Sequence, residues 1–167
     1  ENISLHLHKG EILGLGGLAN CGMHELGRIM FGIDKPVTGE VVVAQTGKRV
    51  TDPVNAVQQG IGYVSKDRDK ESLMLQSSIQ DNIVLPNLDR LQKNFHLSQS
   101  ACDKEANEQV KSLRIKCVSA KQFCTELSGG NKQKVAFAKW MGANCDILIL
   151  DCPTRGIDIG VKADMYK

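Results

Sequence analysis

The stretch Leu127–Asp151, "LSGGNKQKVAFAKWMGANCDILILD", holds a glycine pair, a helix-like segment and an apolar run in succession. We predict a helix over Asn131–Met141 that ends at Gly142. Its apolar face consists of Val135, Ala138 and Met141. Asp146–Leu150 is apolar after its first residue, which predicts a strand of a parallel sheet, buried on both faces. A helix followed by such a strand predicts the α/β class.

Both ends of this stretch carry groups that suit phosphate and metal chemistry. Ser128 and the backbone amides of Gly129 and Gly130 open the predicted helix, where they form an anion site. A Ser N-cap with a flexible entry turn explains the same residues equally well. Asp151 ends the apolar strand, at the edge where α/β sheets bind ligands. A carboxylate at that edge typically holds Mg²⁺ through water.

A second glycine-rich segment follows the strand-like run Ile12–Leu15. Its two glycines enclose four residues over positions 17–22, the spacing of a phosphate-binding P-loop. Glycines let successive backbone N–H groups converge on phosphate oxygens, and Asn20 also tolerates left-handed backbone. The expected Lys and Ser or Thr are replaced by Met23 and His24. Taken alone, this segment is explained better as a structural glycine-rich turn.

The amino-terminal residues alternate polar and apolar side chains. Leu5–Leu15 therefore predicts two strands around a turn at Lys9–Gly10. His6 and His8 share one face of the first strand, where they form either two metal ligands or a solvent-facing row. We expect the solvent-facing row, because no third ligand is near in sequence.

Capping and turn signals predict the elements between these two regions. The predicted elements are a helix over His24–Phe31 stopped by Gly32, a strand over Glu40–Ala44, a helix begun by Asp52-Pro53 and ended by Gly60, a strand over Ile61–Val64, and a capping box at Ser78–Asp81. The polar stretch Leu88–Cys124 predicts a small helical subdomain.

Composition excludes several classes of protein. The 167 residues are 41% hydrophobic and 24% charged, as in an ordinary globular domain, and the net charge of +2 is too small to favour nucleic acid. No apolar run is long enough to span a membrane, and no secretory signal is seen. Six cysteines without a C-x-x-C pair fit a reducing cytosol.

Several segments together resemble one family in order and spacing. "LSGGNKQKVAFAKWM" followed by "DILILDCPTRGIDIG" resembles the signature motif, Walker B strand and D-loop of an ATP-binding-cassette (ABC) ATPase. "GLANCG", "SKDRDKESLML" and the Thr154–Gly160 stretch resemble the branch of monosaccharide importers of the ribose, galactose and xylose type. The sequence is similar to the second of the two cassettes in those chains, and the resemblance covers essentially all 167 residues.

The resemblance implies a P-loop NTPase fold, an ABC-type α/β core with an antiparallel β edge and an inserted helical subdomain. We expect one nucleotide-binding domain over residues 1–167, with the helical subdomain over residues 66–126. The aromatic residue that stacks on adenine is expected before residue 1 and the switch histidine after residue 167. The sequence is therefore interpreted as a fragment of a longer protein.

In this family the glycine-rich loop binds the phosphates of ATP. Carried onto this sequence, the nucleotide-binding residues are Gly17, Leu18, Ala19, Asn20, Cys21, Gly22, Met23 and His24. Met23 stands where Lys or Arg would meet the phosphates, and His24 replaces the Ser or Thr that ligates Mg²⁺. An apolar thioether carries no charge, and imidazole is a poor ligand for a hard ion.

The catalytic positions depart from the family pattern in the same way. Lys66 stands where Gln or Glu senses Mg²⁺ and the attacking water, and Cys152 stands where the general-base Glu follows Asp151. Because phosphoryl transfer depends on positioning and electrostatics, we expect a degenerate nucleotide site, in which Asp151 holds Mg²⁺ weakly through water. Lys66 either compensates the lost charge at position 23, letting ATP bind with little Mg²⁺, or points into solvent, which we prefer.

The signature residues Leu127, Ser128, Gly129, Gly130 and Asn131 fit the family pattern. In the family two cassettes dimerise head to tail, and the signature of one closes over the ATP of the other. The resemblance therefore implies that this domain completes the site of a partner cassette. Gly156, Ile157 and Asp158 match the D-loop, which runs across the dimer seam.

The function implied is that of a cassette in a sugar importer, whose ATP hydrolysis belongs to the assembled transporter and is weak or absent in this cassette alone. The implied partners are a second cassette, expected in the same chain, and membrane permease subunits, with ATP as cofactor, Mg²⁺ uncertain at this site, and no nucleic acid. We expect a cytoplasmic protein, peripheral to the membrane. The alternatives are a non-hydrolysing regulatory module and a cytosolic ABC protein of DNA repair or translation.

Overall fold

The computed structural model describes residues 2–18, 20–93, 96–157 and 162, and these contain both helices and strands. The centre is a parallel pair of strands, β3 (Ile61–Val64) and β6 (Ile147–Leu150). Ile61 lies opposite Ile147 and Val64 opposite Leu150. The amide of Asp151 extends this ladder by donating to the carbonyl of Val64, at 2.9 Å. Both strands were predicted, and the parallel sheet predicted for the second is confirmed.

Two helices pack against this strand pair and form the core with it. They are α1 (Met23–Met30) and α6 (Gly129–Gly142). Phe31, just after α1, stacks on the Tyr63 ring at 5.4 Å between centroids and meets the Trp140 ring of α6 edge-on at 5.7 Å. The geometry of such aromatic pairs adds to the stabilisation that burial of their area gives.

A short antiparallel hairpin and a helix connect α1 to β3. The hairpin pairs β1 (Val42–Val43) with β2 (Lys48–Arg49), and α2 (Pro53–Gln58) follows. The Asp52 carboxylate accepts the Asn55 amide at 2.9 Å, which satisfies one free N–H of the helix start. The predicted N-cap is confirmed.

The segment between β3 and α6 is mostly helical. It contains a π-helical turn (Arg68–Ser72), α3 (Ile79–Val84), a 3₁₀ turn (Leu85–Asn87), α4 (Leu88–Leu91), a hairpin of β4 (Gln92–Lys93) and β5 (His96–Leu97), α5 (Gln99–Ser112) and a second 3₁₀ turn (Cys124–Glu126). The predicted capping box is confirmed, because Ser78 Oγ accepts the Asp81 amide and Asp81 accepts the Ser78 amide. The β4–β5 hairpin was not predicted.

Asn82 on α3 holds two parts of this segment together. Its side chain is buried and accepts the Met74 amide at 2.8 Å, while its Nδ2 donates to the carbonyls of Met74 and Ser78 at 3.0 and 2.9 Å. The carbonyls of Met74 and Ser78 also accept the amides of Ser77 and Asn82, so each receives a second bond from the Asn82 side chain. Asn82 therefore ties α3 to the chain that precedes it.

The two strands predicted over Leu5–Leu15 are wrong. The structure describes residues 2–17 with a turn at Lys9–Gly10 and no strand on either side of it. Ile12 is 99% exposed, so the alternating pattern does not face a core. A strand needs a neighbour to pair its backbone, and no described strand lies beside this segment.

Two burial predictions around α6 and β6 are also wrong. Met141 is 53% exposed, although Val135 and Ala138 are fully buried. Because an α-helix has 3.6 residues per turn, each step of three residues falls short of a full turn. Over the six residues from Val135 to Met141 the side chain is therefore rotated by about 120° around the helix axis. On β6, Leu148 and Leu150 lie on one face and are 37% and 44% exposed. Ile147 and Ile149 lie on the opposite face, which the described elements cover more fully.

No helix of the described residues is both long enough and apolar enough to cross a membrane.

A comparison of Gly32 with Gly39 distinguishes the cost of backbone strain from the cost of steric crowding. Gly32 and Gly39 both have positive φ, +81° and +85°, but a Cβ on Gly32 would lie 2.8 Å from the Asp52 carbonyl carbon, whereas Gly39 has open space. Gly39→Ala should cost about 1–2 kcal/mol of the free energy of unfolding. Gly32→Ala should cost about 1–3 kcal/mol more, since it also displaces backbone. Urea denaturation of both variants measures the difference, and equal losses would show that the close approach to Asp52 is not maintained.

Candidate functional site

The glycine-rich loop is described except for Ala19, which lies outside the described residues. Asn20 and Gly22 both have left-handed backbone, with φ of 63° and 91°, as predicted for Asn20. The Cys21 amide donates to the Leu18 carbonyl at 3.1 Å and closes the turn, and Gly22 then begins α1. The loop therefore leads into the N-terminus of α1 through two residues with left-handed backbone conformation.

The start of the loop requires glycine. A Cβ on Gly17 would lie 2.3 Å from the Sγ atom of Cys21, closer than two such atoms can approach. The Cys21 side chain therefore folds back over the loop start. Leu18, Asn20 and Cys21 are exposed, so the outer surface of the loop faces solvent.

His24 in the first turn of α1 contacts Asp151 at the end of β6. Its Nδ1 lies 2.6 Å from Asp151 Oδ1, and the two side chains are only 24% and 10% exposed. A carboxylate accepts hydrogen bonds and cannot donate them, so Nδ1 is the donor. The Tyr63 hydroxyl donates to the other oxygen of Asp151 at 3.3 Å. Both carboxylate oxygens therefore have partners.

Tyr63 is a site residue that the sequence did not reveal. Burial, followed by the charge of Asp151, raises the pKa of its hydroxyl far above the usual value, so it remains a hydrogen-bond donor. A tyrosine in a buried strand usually serves packing, and no motif marks this one. Only the register of β3 against β6 shows that its hydroxyl reaches Asp151.

Cys152 brings a thiol to the same place. It is exposed and has left-handed backbone, with φ of 48°, which turns the chain directly after β6. One ligand atom each from His24, Asp151 and Cys152 lie within 4.8 Å of one another. The structure thus places together three residues that are far apart in sequence.

Lys66 and Met23 are both half-buried, and Lys66 follows β3 by two residues. Beside Lys66, the Ser65 hydroxyl donates to Glu71 at 2.5 Å, and Arg28 of α1 donates to Glu71 at 2.6 Å. This network ties α1 to the loop that contains Lys66. That Lys66 points into solvent, rather than replacing the charge lost at position 23, stays a prediction.

The Leu127–Asn131 segment begins α6. Ser128 occupies the N-cap position and is exposed, but its side chain makes no capping bond to the backbone. Its Oγ instead accepts Nδ2 of Asn131 at 3.0 Å, while Asn131 Oδ1 accepts the Lys116 amide at 2.9 Å. The Ser128 hydroxyl is therefore held in place and still open to solvent.

Arg68 links this segment to the loop after β6. Its guanidinium donates to the Arg155 carbonyl at 3.2 Å and lies against Gly129, where a Cβ would be 2.9 Å from Nη2. Gly156 has positive φ, +66°, and Ile157 is half-buried, whereas Asp158 lies outside the described residues. Arg68 was not singled out in the sequence, because nothing in its charged neighbourhood distinguishes it from solvent-facing residues.

The family model described as "ABC transporter" matches residues 1–155. The chain belongs to the ABC transporter family. Curated relatives of this cassette include the ribose import ATP-binding proteins RbsA of Lacticaseibacillus paracasei, 40% identical over 99% of the chain, and Halalkalibacterium halodurans, 42% identical over 99%. The chain spans about a third (33%) of the length of each of these relatives.

Solved structures support the same fold. A dimeric ATP-binding cassette in a post-hydrolysis state with ADP and phosphate has a TM-score of 0.81 and 24% identity, over 96% of this chain and 68% of that one. Another dimeric structure of the same cassette, MJ0796, has a TM-score of 0.71 and covers 86% of this chain and 61% of that one, also at 24% identity. The expected ABC-type ATPase fold is confirmed.

The donor set of the cassette does not fit Mg²⁺, the ion that the family implies. Mg²⁺ demands oxygen ligands in an octahedral arrangement. Here both oxygens of Asp151 are hydrogen-bonded by His24 and Tyr63, and the remaining candidates are an imidazole and the thiol of Cys152. The backbone of the loop, by contrast, keeps the left-handed residues and the helix N-terminus that suit a phosphate group.

The cysteines of the cassette should differ in reactivity. Cys21 and Cys152 are exposed, whereas burial raises the pKa of Cys124 and of Cys145 to about 11. The thiolate is the nucleophile, and at pH 7 roughly one in ten thousand of such buried thiols is ionised. A short pulse of alkylating reagent at pH 7 should therefore label Cys21 and Cys152 first, as read by peptide mass spectrometry. Labelling of Cys124 as fast as Cys21 would contradict the burial described.

Proposed function

We propose that this cassette serves a sugar importer with an intact signature segment and a degenerate nucleotide site of its own. The observation that carries the proposal is the contrast between two clusters. Ser128 is exposed and held by Asn131 at the start of α6, as a group that meets a partner would be. His24 and Tyr63 instead both hydrogen-bond to Asp151, in the place where Mg²⁺ would be held.

The weakness of the cassette's own site follows from its side chains. Met23 offers no positive charge to the phosphates, and Cys152 beside Asp151 cannot act as the carboxylate base. Phosphoryl transfer needs charge stabilisation and a positioned water together, so the loss of several groups removes more than any one of them would. The loop binds ATP through backbone amides at best, and this cassette alone hydrolyses it weakly or not at all.

The role of the signature segment in a partner's site is supported by how firmly it is held. Lys116 fixes Asn131 from one side and Arg68 lies against Gly129 from the other. The guanidinium also bonds to the Arg155 carbonyl, in the loop that leads to the expected D-loop. We propose that Leu127–Asn131 close over ATP bound to a second cassette, expected in the same chain, and that Gly156–Asp158 cross the seam between them.

The names of the relatives suggest the cargo, and one groove in the structure suggests a contact with a permease. The relatives are named as ribose import proteins, so we propose a monosaccharide as cargo and ATP hydrolysis in the assembled transporter as the energy source. A groove of about 400 Å³ runs between Phe31, Val54 and Leu85 and reaches Glu71 and Ser72. Val54 and Leu85 are exposed, and an apolar groove of this kind suits a helix of a permease subunit. Docking there places the cassette on the cytoplasmic face of the membrane.

The proposed asymmetry predicts opposite outcomes for two substitutions in the full-length, assembled protein. Ser128→Arg places a bulky cation where the partner's ATP must bind, and ATP hydrolysis should fall by about 100-fold or more. Met23→Ala changes a group that contributes little, and hydrolysis should stay within about twofold of the wild type. Steady-state ATPase assays of the assembled transporter measure both.

Ser112→Arg is the matched control, since Ser112 is an exposed serine at the end of α5 that belongs to neither cluster. It should leave hydrolysis unchanged. If Met23→Ala abolished hydrolysis while Ser128→Arg spared it, the assignment of roles would be reversed. If neither substitution mattered, a non-hydrolysing regulatory module would be the better account.

A further inference from the structure

The cluster of His24, Asp151 and Cys152 offers one nitrogen, one oxygen and one sulfur ligand. Two of its atoms, His24 Nδ1 and Asp151 Oδ1, are 2.6 Å apart, and all three residues have a ligand atom within 4.8 Å of the others. Around an ion with metal–ligand bonds of about 2.0–2.3 Å, neighbouring ligand atoms are about 3.3–3.7 Å apart. The distances within the cluster lie on both sides of this ligand spacing, so small side-chain rotations suffice to surround an ion.

We propose that His24, Asp151 and Cys152 form a binding site for a borderline divalent transition-metal ion of the Zn²⁺ type. Imidazole and thiolate are ligands that Zn²⁺ accepts and Mg²⁺ avoids. The mismatch with Mg²⁺ and the fit to Zn²⁺ therefore have the same origin in His24 and Cys152. This proposal concerns the metal alone and does not rest on the proposed function, since it needs neither nucleotide nor a second cassette.

The surroundings of the cluster support an ion with an open position. Tyr63 donates to Asp151 Oδ2, the kind of outer hydrogen bond that orients a ligating carboxylate. Asp151 is largely buried, whereas Cys152 is exposed, so the side that Cys152 faces is open to water as a fourth ligand. Zinc sites that keep one coordination position open have this arrangement, with three protein ligands and one exchangeable ligand.

Metal binding releases one proton to solvent, that of the Cys152 thiol. The proton on His24 Nδ1, which faces Asp151, moves to Nε2, so the imidazole stays neutral and binds the ion through the freed Nδ1. Three metal–ligand bonds form, from Nδ1, the thiolate sulfur and a carboxylate oxygen. No electron is transferred.

Metal titration of the full-length protein, after metal removal by a chelator, tests the proposal. Co²⁺ should give a thiolate-to-metal charge-transfer absorption, and Zn²⁺ should abolish it by competition. Cys152→Ser should remove that absorption and weaken Zn²⁺ binding by at least about 10–100-fold, which is what loss of an outer partner alone can cost. Millimolar Mg²⁺ should displace neither ion.

The chain offers a matched control in Cys21→Ser, because Cys21 is also an exposed thiol of the same site but lies outside the three-residue cluster. It should leave the Co²⁺ absorption unchanged. In the wild type, Zn²⁺ should protect Cys152 but not Cys21 from alkylation. This readout needs no variant and so does not depend on how a substitution folds.

The proposal is overturned if Zn²⁺ and Co²⁺ fail to bind at micromolar concentration. It is also overturned if Cys152→Ser binds Zn²⁺ as tightly as the wild type, or if Zn²⁺ protects both thiols equally. Loss of the absorption in Cys21→Ser together with its retention in Cys152→Ser would move the site to another set of ligands and contradict the assignment.

Discussion

The parallel pairing of β3 with β6 determines where Asp151 and Tyr63 of the site lie. Because Val64 pairs with Leu150, the amide of Asp151 bonds to the Val64 carbonyl and the carboxylate lies at the end of the sheet. The same register brings the hydroxyl of Tyr63 to that carboxylate. A slip of one residue would turn these side chains to opposite faces. The α1 helix, resting on Tyr63 and Ile149 at Gly27, then brings His24 to Asp151.

The backbone of the glycine-rich loop suits a phosphate group, while the side chains next to it supply other chemistry. Left-handed backbone at Asn20 and Gly22 and the start of α1 are set by main-chain geometry, which tolerates change in neighbouring side chains. Charge and metal chemistry depend on the side chains themselves, and Met23, His24 and Cys152 supply other chemistry. A hydrogen-bonded His–Asp pair beside a thiol suits a softer ion than Mg²⁺. The segment that we propose as the signature, by contrast, has an exposed serine and is held by Asn131 and Arg68.

Local signals in the sequence predicted local structure well. The Asp52 cap, the Ser78 capping box and left-handed Asn20 each depend on a few neighbouring residues, and each is confirmed. Features that depend on distant partners were missed or wrong. The alternation over Leu5–Leu15 could not show whether a neighbouring strand exists, and apolar Met141 gave no sign of its position around α6. The bond between Tyr63 and Asp151 arises only from strand register, and the contact of Arg68 with Gly129 only from folding of the intervening chain.

The central claim is that this cassette contributes its signature segment to catalysis and leaves hydrolysis to its partner. Rapid-mixing measurement of the phosphate released in the first turnover, by the assembled protein saturated with Mg²⁺ and ATP, tests the claim most directly. The account predicts release of about one phosphate per pair of cassettes, with the nucleotide at the site of His24 and Cys152 unhydrolysed or absent. Release of two phosphates per pair at equal rates would contradict it.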